Sequence, residues 1–259
     1  MSSHPPNRSD EDSPQDRSAT KSKPKTQNPT LKTQNSKLCF VCVGAGHGSR
    51  FGGDKLSQLI GDRMVFAVVL EALETARPSA GVVVVVAPDD LSMWRDRLGR
   101  GFPRARFVAG GARRHLSVRA GVNAAVGLGA DVVAIHDAAR PLVNPHDVQR
   151  VVRGLGEWDG AILTAPVSDT IKRIDGDDSV AETVDRENLR FALTPQVFRV
   201  ASLRGAWEET GDVGEWTDEA ALLENSGMRV RCIDAEHPNP KLTIPSDLVM
   251  IRVLAGVAP

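Results

Sequence analysis

Residues 82–86 are five valines in a row, bounded by Gly81 and by Ala87-Pro88. β-branched side chains pack well on a pleated surface, so the run forms a strand. It is apolar on both faces, so both must be covered, as in a parallel sheet held between helices. The flanking sequence supplies those helices. KLCFVCVGAG is a second strand entering a glycine loop, MVFAVVLEALETA and LSMWRDRL are helices, and ARFVAGG is a short strand. The helix SVRAGVNAAVGL, the strand DVVAIHDAARP, the helix HDVQRVVRGL and the strand AILTAPV continue the alternation. Asn144-Pro145 has the cap and first-turn chemistry of a helix start. Repeated strand-then-helix units predict a single doubly wound, mostly parallel α/β sheet.

Residues 168–191 break the alternation. Two β-like pieces flank the turn IDGDDS and predict a hairpin arm projecting from the sheet. TPQVF, the helices SLRGAWEE and TDEAALLENSG, the strand RVRCIDA and the helix PSDLVMIRVLAG complete one domain over residues 37–259. Residues 1–36 hold no Trp, Ile, Val or Phe, so they cannot bury enough apolar surface to offset their ordering entropy. A disordered polar tail is expected there. It has neither the apolar centre of a signal peptide nor the acid-poor composition of a transit peptide.

A formal net charge of −1 over 259 residues gives no support to a protein that wraps nucleic acid or coats a membrane. No stretch reaches the roughly 20 apolar residues of a membrane span. Three cysteines are too few and too scattered for a disulfide framework, so a reducing, cytoplasmic setting is expected. Cys39 and Cys42 form a CxxC, but residues three apart on a strand point to opposite faces. They read as two small buried side chains rather than a redox or zinc pair.

In an open parallel sheet, ligands bind beyond the carboxyl ends of the strands. VGAGHGSRFGGDK (residues 43–55) sits there, with five glycines, Arg50 and Lys55. Closely spaced glycines let backbone N–H groups approach an anion. Neither standard phosphate motif is present. A dinucleotide loop needs a third glycine where Ser49 or Phe51 stands, and a Walker loop needs lysine directly after Gly53, where Asp54 stands. What remains is a longer loop with two cations. Arginine grips phosphate oxygens in a fork, and lysine adds a mobile point charge. Converging on a triphosphate, they would neutralise charge that builds as its α-phosphorus is attacked. The bland alternative is a glycine turn with solvated charges.

HDAARP (136–141) ends a strand on the same edge. Asp137 is placed there to ligate Mg2+ and Arg140 to bind a phosphate, the alternative being a helix cap and a structural arginine. His136 has no second ligand at metal spacing and reads as a satisfied strand-end residue. GGARRHLSV (110–118) offers a second small-residue turn and the Ser117 hydroxyl. TVDR, TPQ, TDEA and NPKLTIPSDL put Arg186, Thr194, Thr217 and Lys241 in or beside turns. Composition does not show that they converge.

Taken in order, GAGxGSR…DK, GG…SV, HDAARP, APVxDTIKR, TVDR, TPQxF, TDEA and NxKxTxPxDL closely resemble the 2-C-methyl-D-erythritol 4-phosphate cytidylyltransferases, over residues 38–255. The resemblance implies a Rossmann-like nucleotidyltransferase fold. It implies an enzyme of the non-mevalonate isoprenoid pathway that joins CTP to methylerythritol phosphate and releases pyrophosphate, with Mg2+ as cofactor. Arg50 and Lys55 would steady the transition state, and Arg186 and Lys241 would position the attacking phosphate. Asp137, Arg140, Thr170, Thr194 and Thr217 would hold the polyol phosphate, with Asp137 also near the metal. Gly44, Ala45, Gly46, Gly48, Gly111, Ser117 and Ala138 would line the CTP site. A homodimer through the 168–191 arm is implied too, with Arg186 acting in the partner subunit's site.

The loop departs from the family pattern. Val43-Gly44-Ala45-Gly46 replaces Pro-Ala-Ala-Gly and Asp54-Lys55-Leu56 replaces Pro-Lys-Gln, removing backbone restraint. GSRFGGDKL also resembles molybdenum-cofactor nucleotidyltransferases, and ribitol phosphate is a rival acceptor; the motifs beyond the loop favour methylerythritol phosphate over the first. A nucleotide-binding regulatory module is the non-enzyme alternative. Arg50, Lys55, Asp137 and Lys241 standing together argue against it, since binding alone would tolerate losing some of them.

Overall fold

The computed structural model describes residues 36–46, 48, 50–211 and 216–258, so the tail expected over 1–36 lies outside the described residues except for Ser36. From the amino end come β1 (Leu38–Val43), the two-residue strands β2 (Leu59–Ile60) and β3 (Arg63–Met64), α1 (Val65–Ala76), β4 (Gly81–Val86) and α2 (Leu91–Leu98). β5 (Ala105–Ala109), α3 (Arg114–Gly127), β6 (Val132–Asp137), α4 (Pro145–Gly154) and β7 (Gly160–Pro166) follow. β8 (Ile171–Ile174), β9 (Val180–Val184), β10 (Arg190–Arg199), α5 (Val200–Thr210), α6 (Glu219–Asn225), β11 (Val230–Asp234) and α7 (Pro245–Leu254) complete the order.

Seven strands form one sheet in the order β11-β7-β10-β6-β1-β4-β5. All its pairings are parallel except those of β10, which runs antiparallel to β6 and β7. The expected α/β class and mostly parallel sheet are therefore present. The valine strand pairs with β1 on one side and β5 on the other, and its side chains alternate between two buried clusters. Val82, Val84 and Val86 pack with Phe40, Phe66 and Trp94, whereas Val83 and Val85 pack with Val118 and Val122 of α3. Each such side chain contributes about 1.5–3 kcal/mol by leaving water. Cys39 and Cys42 fall in different clusters, on opposite faces. Burial pushes the Cys39 thiol up to about 11 and the Cys42 thiol up as well, so neither is a thiolate.

Local chemistry explains the helix ends. The Asn144 side chain accepts from the His146 N–H at 2.8 Å, and Pro145 occupies the first helical position. α2 buries Trp94 and Leu98, four apart on one face, with the Phe66 ring edge-on to Trp94 at 5.1 Å. Three details differ from expectation. α3 begins at Arg114 rather than Ser117; TPQVF lies inside a ten-residue strand; and a two-strand hairpin, β2–β3, precedes α1. The arm is present as the antiparallel pair β8–β9, a sheet of its own.

Candidate active site

Backbone hydrogen bonds tie three loops to strand ends at the carboxyl edge of the sheet. Gly44 N–H donates to Val85 O at 2.7 Å, Gly110 N–H to Val86 O at 2.7 Å, and Ala138 N–H to Val43 O at 3.0 Å. A cavity of about 320 Å³ opens between them. The glycine loop must be glycine where it turns hardest. Gly48 sits at φ +60°, and a Cβ there would meet Gly53 O at 2.7 Å. At Gly110 a Cβ would lie 2.6 Å from Ser117 Oγ, so glycine lets the second turn close onto α3. Asp54, standing where the family has proline, restrains the turn differently. Its Oδ1 accepts from Leu56 N–H at 3.1 Å and Ser57 N–H at 3.2 Å.

Of the expected residues, Gly44, Ala45, Gly46, Gly48, Arg50, Lys55, Gly111, Ser117, Asp137 and Lys241 all line this cavity. Lys55 Nζ donates to Leu242 O at 3.0 Å. Burial, then Lys241, then Arg50 press its pKa below the ordinary lysine value, while Asp137 partly offsets them. Asp137 is 8% exposed and is surrounded by cations. Lys241 Nζ donates to its Oδ2 at 2.7 Å, an Arg114 terminal nitrogen lies 3.5 Å from Oδ1, and Arg140 Nε is 3.9 Å from Oδ2. Burial alone would raise this carboxyl; the three cations outweigh it and hold it well below the usual carboxylate range.

Other expected residues stand elsewhere. Ala138 is fully buried, its N–H donating to the β1 carbonyl, and Ala139 lines the cavity instead. Thr194 is 5% exposed and its hydroxyl accepts from the Asp137 N–H at 3.2 Å and meets His136 Nδ1 at 3.0 Å. With that oxygen accepting from the backbone, its proton goes to Nδ1, and His136 Nε2–H faces Arg140 O at 3.2 Å. One neutral tautomer satisfies the whole chain, and burial lowers the His136 pKa to about 4. Arg140 donates to Asn239 O at 2.7 Å, bracing the HDAARP turn against the NPKLT turn. Thr170 and Thr217 are exposed and do not line the cavity, nor does Arg186, which donates to Ser168 O at the base of the arm.

Arg113, Arg114 and Thr243 also line the cavity, although the motifs gave them no role. Arg114 begins α3, where a cation opposes the helix dipole. That misplacement was the available signal: an arginine there serves an acid or a ligand. Its partner is Glu219 at the start of α6, at 2.9 and 3.1 Å.

Asp137 is the cavity's one acidic lining residue among those described. Mg2+ held largely by phosphates needs only one or two protein carboxylates, so an ionised Asp137 fits it. A second group, His146, Asp147 and Glu236, lies away from the cavity. There Arg150 already sits 3.2 Å from each carboxylate.

A family model described as 2-C-methyl-D-erythritol 4-phosphate cytidylyltransferase, IspD, matches residues 38–255. The chain belongs to the IspD family. It is 40% identical over 223 residues to the bifunctional enzyme IspD/IspF of Paramagnetospirillum magneticum, covering 85% of this chain and 57% of that one. The chain thus spans just over half the length of the curated IspD/IspF relatives it matches. A crystal structure of 4-diphosphocytidyl-2C-methyl-D-erythritol synthase is 33% identical, with a TM-score of 0.72, over 85% of this chain and 98% of that one. The 2-C-methyl-D-erythritol 4-phosphate cytidylyltransferase of Thermus thermophilus is 30% identical, with a TM-score of 0.68, over 85% and 100%. The IspD nucleotidyltransferase architecture therefore extends across β1 to α7.

Proposed function

We propose that this chain transfers CMP from CTP to 2-C-methyl-D-erythritol 4-phosphate and releases pyrophosphate. The observation that carries the reading is one cavity lined by Arg50, Lys55, Arg113, Arg114 and Lys241 against the single carboxylate of Asp137, in a member of this family. Such a basic pocket suits a triphosphate and a second phosphate brought against it. An oxygen of the acceptor phosphate attacks the α-phosphorus of CTP. A new P–O bond forms as the bond to the β-phosphate breaks, and pyrophosphate leaves with the electron pair. Lys55 and Arg50 offset the charge that builds on the phosphoryl oxygens, and Lys241 orients the attacking phosphate. Asp137 would hold Mg2+, which when bound neutralises phosphate charge.

Arg186, outside the cavity of its own chain, acts in the partner subunit's site of a homodimer formed through the arm. The arm's exposed Ile174 and Val180, 58% and 61% accessible, support an arm that packs against another chain. Arg140, Thr170, Thr194 and Thr217 shape the acceptor side, directly or by bracing its turns. The setting is cytoplasmic, in keeping with three free cysteines.

The test is pyrophosphate release from CTP and Mg2+ with methylerythritol phosphate, ribitol phosphate or no acceptor. Release with the first alone is expected. Release only with ribitol phosphate moves the acceptor, and CTP binding without release from any acceptor, a molybdopterin included, overturns the enzyme reading.

A further inference from the structure

We propose that Glu219 is a positioning residue that acts through Arg114, holding its guanidinium against Asp137 and so setting the acceptor side of the site. This rests on the functional reading above. Both Glu219 oxygens accept from one terminal nitrogen of Arg114, at 2.9 and 3.1 Å, and the other terminal nitrogen lies 3.5 Å from Asp137 Oδ1. Glu219 does not line the cavity; its side chain is 4% exposed, whereas Arg114 is one-third exposed and does line it. The buried acid is therefore the fixed end of the pair and the arginine its reach into the site. A fork held at one end loses little freedom when it contacts a carboxylate at the other.

The anchor is itself secured. Asp218 caps α6 by accepting from Ala221 N–H at 2.9 Å, and its other oxygen accepts from Gln196 Nε2 of β10 at 2.8 Å. Thr217 precedes these two acids in the TDEA turn. The Glu219–Arg114 pair thus ties that turn to the amino end of α3, next to the Gly110-Gly111 turn. Asp137 also meets Lys241 and Arg140, so a carboxylate released from Arg114 would turn toward those two cations.

The experiment is a mutant cycle on the full chain with Glu219→Gln, Arg114→Ala and the double variant, with Glu219→Asp as the charge-keeping control. Folding is checked by thermal melting. Glu219→Gln is expected to lower kcat/KM for the acceptor about ten-fold while calorimetric CTP affinity stays within about two-fold. The double variant should be no worse than Arg114→Ala alone, and Glu219→Asp should recover part of the loss. Losses that multiply in the double variant, or a Glu219→Gln enzyme at wild-type kcat/KM, overturn the proposal. A second readout needs no turnover. The Arg114 guanidinium ¹⁵N–H signals should be protected from exchange in the wild type and Glu219→Asp, and collapse to the free-arginine position in Glu219→Gln. If the wild type releases no pyrophosphate, the functional reading fails. The exchange measurement still decides the positioning, and protected signals in Glu219→Gln overturn it. Should Glu219→Gln not fold, Glu219→Asp carries the kinetic readout, and a wild-type kcat/KM in that variant overturns the proposal.

Discussion

Lys55 is crowded by like charge, with Lys241 and Arg50 both lowering its pKa beyond the effect of burial, and among the described residues its one hydrogen bond goes to the Leu242 backbone carbonyl. A lysine held in that way is ready for a polyanion, which would relieve the repulsion. Lys55→Ala and Arg50→Ala are each expected to lower turnover by roughly 10²-fold with unchanged melting temperature, as loss of a transition-state contact should. Wild-type turnover in either variant would remove the loop from the mechanism. Gly46 tests the cradle separately. A Cβ there meets no atom of the described residues within 4 Å beyond its chain neighbours, yet the residue lines the cavity. Gly46→Ala should therefore fold normally and raise the KM for CTP several-fold; an unchanged KM would place the nucleotide elsewhere. Arg114 lies inside the GGARRHLSV turn, but its role depends on an acid 105 residues away, which no local pattern reveals.

At the scale of elements, the loops after β1, β5 and β6 carry the cavity, because all three strands end on one edge of the sheet. Those strands, and the helices between them, were legible from periodicity and caps. The direction of β10 was not. Side chains alternate with the same period in parallel and antiparallel strands, so nothing in RFALTPQVFR distinguishes them. The arm was legible from its turn, where Asp178 adopts φ +63° and Asp177 Oδ1 accepts from Ser179 N–H at 3.1 Å. Its consequence is testable. Mixing Arg186→Ala with Lys55→Ala subunits should restore part of the activity each lacks, since one intact site then draws its arm and its loop from different chains. Mixed dimers that form, by size-exclusion chromatography, and stay inactive would confine Arg186 to a role in its own chain.

For the whole molecule, His136 ties function to stability. Its imidazole is buried and neutral between Thr194 and Arg140, with a pKa of about 4. The unfolded histidine takes up a proton near pH 6.5, so between those values the unfolded state binds more protons. Stability from this group is complete above about pH 6.5 and is lost as the pH falls toward 4, by as much as about 3 kcal/mol. The lowered Asp137 adds its own loss only below about pH 4, the unfolded carboxyl range. Denaturant unfolding at pH 7 and 4.5 should show most of that drop, and a His136→Asn variant should show less of it. A pH-independent midpoint would contradict the buried neutral imidazole. What the chain's order determined by itself was local: strand and helix alternation, the turns, and the pairing of glycines with two cations, because caps, periodicity and φ preferences act over a few residues. Only the folded sheet decided that Lys241 meets Asp137 across 104 positions, that Glu219 anchors Arg114, and that Ala139 rather than Ala138 faces the cavity. Those contacts depend on which strand edges become neighbours, and that is settled by burying both faces of one sheet at once.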